Sequence, residues 1–175
     1  MLSQNRNFAL QSGFLLGLLY CLVVLLFYFF NLEMLFSGWG FSLVFWVLFL
    51  LFPIYLLKTS ELVLFKFKDV FSVVFLAFVS ATFVYSLFTW LLYSVVDPSV
   101  IQIYVELMME EVNQNPDLYP KEMNEDYFIA NFEFKNQINA YVFFLIPCVL
   151  YSALVALIAS TFKKKRIAES NLKDK

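Results

Sequence analysis

The stretch Gly13–Phe30, GFLLGLLYCLVVLLFYFF, decides how the rest of the chain is read. It holds no charge, and 13 of the residues 14–30 are Phe, Leu or Val. Each of these is worth roughly −0.3 to −0.6 kcal/mol on insertion near the centre of a membrane helix. A bilayer core of ~30 Å needs about 20 helical residues at ~1.5 Å each. Three further charge-free runs reach that length: Gly38–Leu57, Val70–Val96 and Ile138–Phe162. Backbone amides in lipid must bond within their own segment, so the runs predict helices. Continuous hydrophobicity does not fit the alternation of barrel strands. Composition agrees. Hydrophobic residues make up 62% of the 175, with 23 Phe and a mean hydropathy of +0.76, more apolar surface than a soluble core of this size can bury. The expected fold is an all-α membrane protein, one four-helix transmembrane domain over residues 1–175. Spans fall at about 13–30, 38–57, 70–96 and 138–162.

The first run also has to be weighed as a cleaved signal. It is long, it lacks a small-x-small cleavage site, and only Arg6 precedes it, so it is read as a retained helix. Leu18-Leu19-Tyr20-Cys21 does not serve as a lipoprotein box, because Tyr20 stands where a small residue is needed.

Lys and Arg in the connections set the expected orientation. Arg6 precedes span 1. Lys58, Lys66 and Lys68 follow span 2. Lys163, Lys164, Lys165, Arg166, Lys173 and Lys175 follow span 4. Only Lys121 and Lys135 lie between spans 3 and 4. With both termini inside, ten of the twelve basic residues are cytoplasmic, as the positive-inside rule requires. Trp39, Trp90, Tyr93 and Tyr141 are then expected as an aromatic belt near the outer interface.

Residues 97–137 form the only sizeable stretch expected outside the membrane. Asp97-Pro98 reads as a helix cap followed by proline at the first helical position. Val100, Ile101, Tyr104, Val105, Met108 and Val112 recur at helical spacing, with Glu106, Glu110 and Glu111 largely opposite. A second, weaker pattern runs through Met123, Tyr127, Ala130 and Phe134. The expectation is two short helices that lie on the outer surface or cap the bundle. Nine acidic residues against two lysines give this stretch a net charge of −7.

Several chemistries are removed. His is absent, and the two cysteines, Cys21 and Cys148, both sit in apolar runs. No imidazole base, disulfide scaffold or multi-thiolate metal site is available. Four glycines are too few for a phosphate-cradling loop, and a net charge of −2 gives no pull toward nucleic acid. The outer carboxylates lack calcium-loop spacing and its glycine, so no metal or cofactor is expected. No charged residue falls within the four spans, which counts against pumps, proton-coupled transporters and voltage sensors.

Other features read as packing. The span-3 hydroxyls Ser72, Ser80, Thr82, Ser86, Thr89 and Ser94 are read as helix–helix or same-helix bonds rather than a pore lining. Small residues at Ala9, Gly13, Gly17 and Cys21, at Ala77 and Ala81, and at Ser152, Ala156 and Ser160 let helices approach closely, within one bundle or across a dimer. Pro53 and Pro147 are expected to kink or weaken their helices.

The order of features resembles an uncharacterised family of small four-span bacterial membrane proteins, typical of the Bacteroidetes and known only as a domain of unknown function. The matching residues are Phe67-Lys68-Asp69-Val70-Phe71 entering span 3 and Asp97-Pro98 leaving it, and the resemblance covers nearly the whole chain. It implies a bacterial inner membrane location and no catalytic residues.

The resulting expectation is a non-enzymatic accessory or scaffold module that binds a partner protein. Asp97, Glu106, Glu110 and Glu111, with the apolar face of Val100–Val112, form the candidate recognition surface. Lys163, Lys164, Lys165 and Arg166 are candidate contacts to anionic membrane lipid. The partner is a membrane or extracytoplasmic protein, or a second copy of the chain. The alternative is a small oligomeric pore or passive facilitator. A lipid-acting enzyme ranks below both, because such enzymes generally place ionisable groups within the spans.

Overall fold

The computed structural model describes residues 3–36, 39–59, 66–120 and 123–173, with side chains described over 5–36, 39–59, 66–120 and 123–161. The described residues form helices and no strand. α1 is Ser3–Phe30, α2 Leu32–Phe36, α3 Trp39–Thr59 and α4 Phe67–Leu91. A π-helical turn, Leu92–Val96, extends α4. α5 is Ser99–Gln114, α6 Glu125–Ala130 and α7 Phe134–Lys173. Four of these, over Asn5–Phe30, Trp39–Thr59, Phe67–Val96 and Phe134–Thr161, are long and apolar enough to cross a membrane.

The helices overrun the apolar runs at both ends of the chain. α1 begins ten residues before Gly13 because Ala9 is already buried in the core, so packing carries the helix beyond its lipid-like part. α7 continues past Phe162 into a stretch rich in Lys and Arg, good helix formers in water. Neither Pro53 nor Pro147 interrupts its helix.

α4 is the centre of the bundle and packs on α1 and α7. The small residues explain how. Ala9, Gly13, Gly17 and Cys21 are buried, and Gly13 and Gly17 lie against Ala77 and Ala81 of α4. A methyl group added at Gly13 would collide with the Ala77 carbonyl oxygen. One added at Gly17 would lie 2.7 Å from Val84 Cβ and 2.9 Å from the Ala81 oxygen. On the other side Ser152 and Ala156 of α7 are fully buried. The stripes on α1 and α4 are spent on packing within the bundle.

α3 joins by aromatic side chains. Tyr20 of α1 stacks on Phe45 at 4.4 Å. Phe49 stacks on Phe78 of α4 at 4.6 Å and on Tyr151 of α7 at 5.1 Å. Phe144 completes the cluster at 5.4 Å from Phe45. Rings are large enough to bridge backbones that do not touch, which is one use of so much phenylalanine. Hydrogen bonds add to it: Tyr151 donates to the Leu50 carbonyl at 2.8 Å and Ser80 to the Leu10 carbonyl at 3.2 Å.

The outward faces are apolar where a soluble protein would be polar. Leu15 is 65% exposed, Phe143 71% and Leu150 67%. Such a girdle of large side chains suits lipid and not water. Trp39 stands out from the bundle, whereas Tyr93 is buried and Tyr141 rests against Phe83 and the Val79 carbonyl in the middle of α4. The expected aromatic belt therefore loses Tyr93 and Tyr141, which serve packing.

Candidate functional site: a capped end with an acidic cleft

One end of the bundle is closed by α2, α5 and α6. Asp97 starts the cap. Its backbone is extended at φ −138° and ψ 82°, and Pro98 follows at φ −64° and ψ −15°, already helical. The Asp97 carboxylate accepts from the Ser99 backbone N–H at 3.2 Å and from the Ser99 hydroxyl. This is the capping role that Asp-Pro predicts. The other carboxylate oxygen accepts from the Tyr28 hydroxyl at 2.7 Å, which ties the end of α1 to the start of α5. The Ser99 hydroxyl first, and Tyr28 second, hold the Asp97 carboxyl below the usual carboxylate range.

The turn before Asp97 is wider than an α-helix: the Asp97 N–H donates to the Leu92 carbonyl at 2.9 Å, five residues back. The turn buries Leu92 and Tyr93 beneath the cap, in a small core with Val24, Leu35 and Val100. Tyr104 packs against Phe36 at 5.2 Å and Phe132 at 5.1 Å, and burial pushes its hydroxyl pKa up. Part of the α5 apolar face is thus consumed inside the molecule. The expectation that this whole face is a recognition surface is corrected: Val100 and Tyr104 hold the cap down.

The other flank of α5 stays open. Together with α6 it encloses a cleft of about 910 Å³. It is lined by the apolar Pro98, Ile101, Val105, Met109 and Ile129 together with Glu106, Glu110 and Glu125, Gln102, Asn113 and Gln114. Asn124 builds the α6 side by accepting from the Tyr127 N–H at 2.9 Å. Glu110 accepts from Gln114 at 3.1 Å.

The four candidate recognition residues therefore divide. Glu106 and Glu110 line one cleft. Asp97 is held by Ser99 and Tyr28. Glu111 turns toward Tyr119, whose hydroxyl donates to it at 2.8 Å, a bond that raises the tyrosine pKa. Sequence reading missed Glu125 and Ile129 as cleft residues, Tyr28 as the Asp97 partner, and α2, which Asn31 caps by accepting from the Met34 N–H at 2.9 Å. Asn31 followed two residues later by Glu33 is the signal that pointed to α2. Lys163, Lys164, Lys165 and Arg166 continue the α7 backbone, and their side chains lie outside the described residues.

Among the described residues no group of His, Cys, Asp and Glu converges as a metal site. Hydroxyls along α4 and the π turn are bonded within the protein. Thr82 and Thr89 donate to Phe78 and Tyr85 of their own helix, Ser80 to Leu10 and Ser94 to Phe132.

Four apolar helices with lipid-suited outer faces define a multi-pass membrane protein. Within that class the chain belongs to the family described as protein of unknown function (DUF4199), which its residues 11–165 match. No curated protein and no solved structure matches the chain.

Proposed function

We propose that the chain is a non-enzymatic accessory module of a bacterial inner membrane whose cap binds a segment of a partner protein. The observation that carries the reading is the cleft between α5 and α6, lined by apolar side chains and by Glu106, Glu110 and Glu125. Its α5 wall runs from Pro98 to Asn113 at helical spacing, about 22 Å at ~1.5 Å per residue. That length suits a helix or extended peptide lying in a groove. The acidic lining selects a basic, amphipathic segment, with charge speeding encounter and apolar contact holding the complex.

The charge bias among the connections supports both termini in the cytoplasm and the cap outside. The basic stretch Lys163–Arg166 then rests on the anionic inner leaflet, each charge contributing about 1 kcal/mol. The test is photo-crosslinking in native membranes. A photoreactive residue at Met109 or Gln102 crosslinks a discrete partner, while one at Leu150, on the lipid face, does not. Equal labelling at all three positions would sink the cleft as a recognition site.

A further inference from the structure

A second cleft, of about 500 Å³, opens within the bundle between α1 and α3, at the end opposite the cap. Its origin is legible in the packing. The small face of α1 is committed to α4, where Gly13 and Gly17 bring the two backbones together. α3 reaches α1 by rings near the capped end, Phe27 to Phe41 at 5.9 Å and Tyr20 to Phe45 at 4.4 Å. No ring pair joins the two helices toward Phe8 and Thr59, and there the cleft lies open.

The lining is graded along its length. Leu15, Leu19, Leu48 and Leu51 line the part nearer mid-span. Gln11, Ser12, Tyr55 and Thr59 line the part nearer the helix termini, and no acidic side chain lines the cleft. Lys58, exposed on the last turn of α3, stands beside that end. A cleft at membrane depth is not left empty, since lining atoms without neighbours forfeit their dispersion contacts. Water does not fill its length either, because water needs two to four polar partners and the leucine and phenylalanine walls offer none. The molecule with an apolar body, a polar neck and a headgroup at this depth is a phospholipid, and an exposed lysine next to Thr59 favours an anionic one.

We infer that the cleft between α1 and α3 is a lipid site, which takes one phospholipid with its acyl chain along Leu15, Leu19, Leu48 and Leu51 and an anionic headgroup at Lys58. The site is independent of the cap and of what the cap binds. It differs from general lipid contact by being a single slot between two helices.

Native mass spectrometry of the detergent-purified full chain tests it, with mixed anionic and zwitterionic phospholipid as the probe. The wild type retains one phospholipid, enriched in the anionic class. L15W and L51W fill the slot from exposed positions, so the fold stands, and the bound lipid is lost. K58E keeps one lipid but loses at least about fivefold of the anionic preference, the change expected for removing one basic residue at a membrane surface even before the added negative charge acts. Circular dichroism confirms that each variant remains helical. Wild-type protein carrying no lipid, or a statistical spread of many, overturns the inference. So does an undiminished single adduct in L15W and L51W, or an anionic preference that K58E leaves unchanged.

Discussion

Gly13 and Gly17 show how single atoms set the bundle. A side chain at Gly13 meets backbone, the Ala77 carbonyl, which cannot move aside without shifting α4. G13A should therefore cost about 1–3 kcal/mol, the range for forcing a methylene into a filled site. Gly40 is the control: an added methyl there has its nearest neighbour at 3.5 Å, on the Phe27 ring, so G40A should be close to neutral. Unfolding in mixed micelles measures both, and equal effects would contradict the close approach. Tyr20 tests the opposite case. Its hydroxyl is buried without a hydrogen-bond partner among the described residues, as is that of Ser152. An orphaned buried hydroxyl costs about 1–3 kcal/mol, so Y20F should stabilise the protein rather than weaken it. A destabilised Y20F in the same assay would mean that the hydroxyl is satisfied.

At the scale of elements, Asp97 joins three of them: the π turn behind it, α5 ahead and α1 across through Tyr28. Because folding lowers its pKa, its stabilising effect is present above the ordinary carboxylate range and is lost as pH falls through the lowered value. Amide exchange in the first turn of α5, corrected for intrinsic rate, should stay protected from neutral pH down through the ordinary range and weaken only below it. D97N should weaken protection already at neutral pH and flatten the dependence. Loss of protection beginning near pH 7 would contradict the assignment. The cap also shows what a sequence reveals. Asp97-Pro98 and the spacing from Val100 to Val112 predicted α5 because capping and periodicity are local. Periodicity marks which face is apolar, not what covers it, so the division of that face between Val100 and Tyr104 inside and Ile101 and Met109 in the cleft was not legible. The second helix predicted within Lys121–Lys135 is only Glu125–Ala130, since Phe134 already belongs to α7. The Tyr28–Asp97 bond joins residues 69 apart and leaves no local mark.

For the whole molecule, the four spans were legible because lipid constrains length and polarity so strongly. The candidate site was legible in part. Glu106 and Glu110 do share a cleft, whereas Asp97 and Glu111 are engaged in bonds within the chain. Among the described residues that arrangement separates an apolar shell suited to lipid, a core of small residues and rings, and a polar surface at the cap. The proposed partner site lies at the cap, where apolar and acidic side chains line one cleft. The most direct test is native mass spectrometry of the tagged protein extracted gently from its own membrane, beside the double variant E106K/E110K. The account predicts a stoichiometric second protein on the wild type, lost from the double variant while the helical content is unchanged. A wild type that emerges alone or only with copies of itself, or a partner retained in full by the double variant, would contradict it.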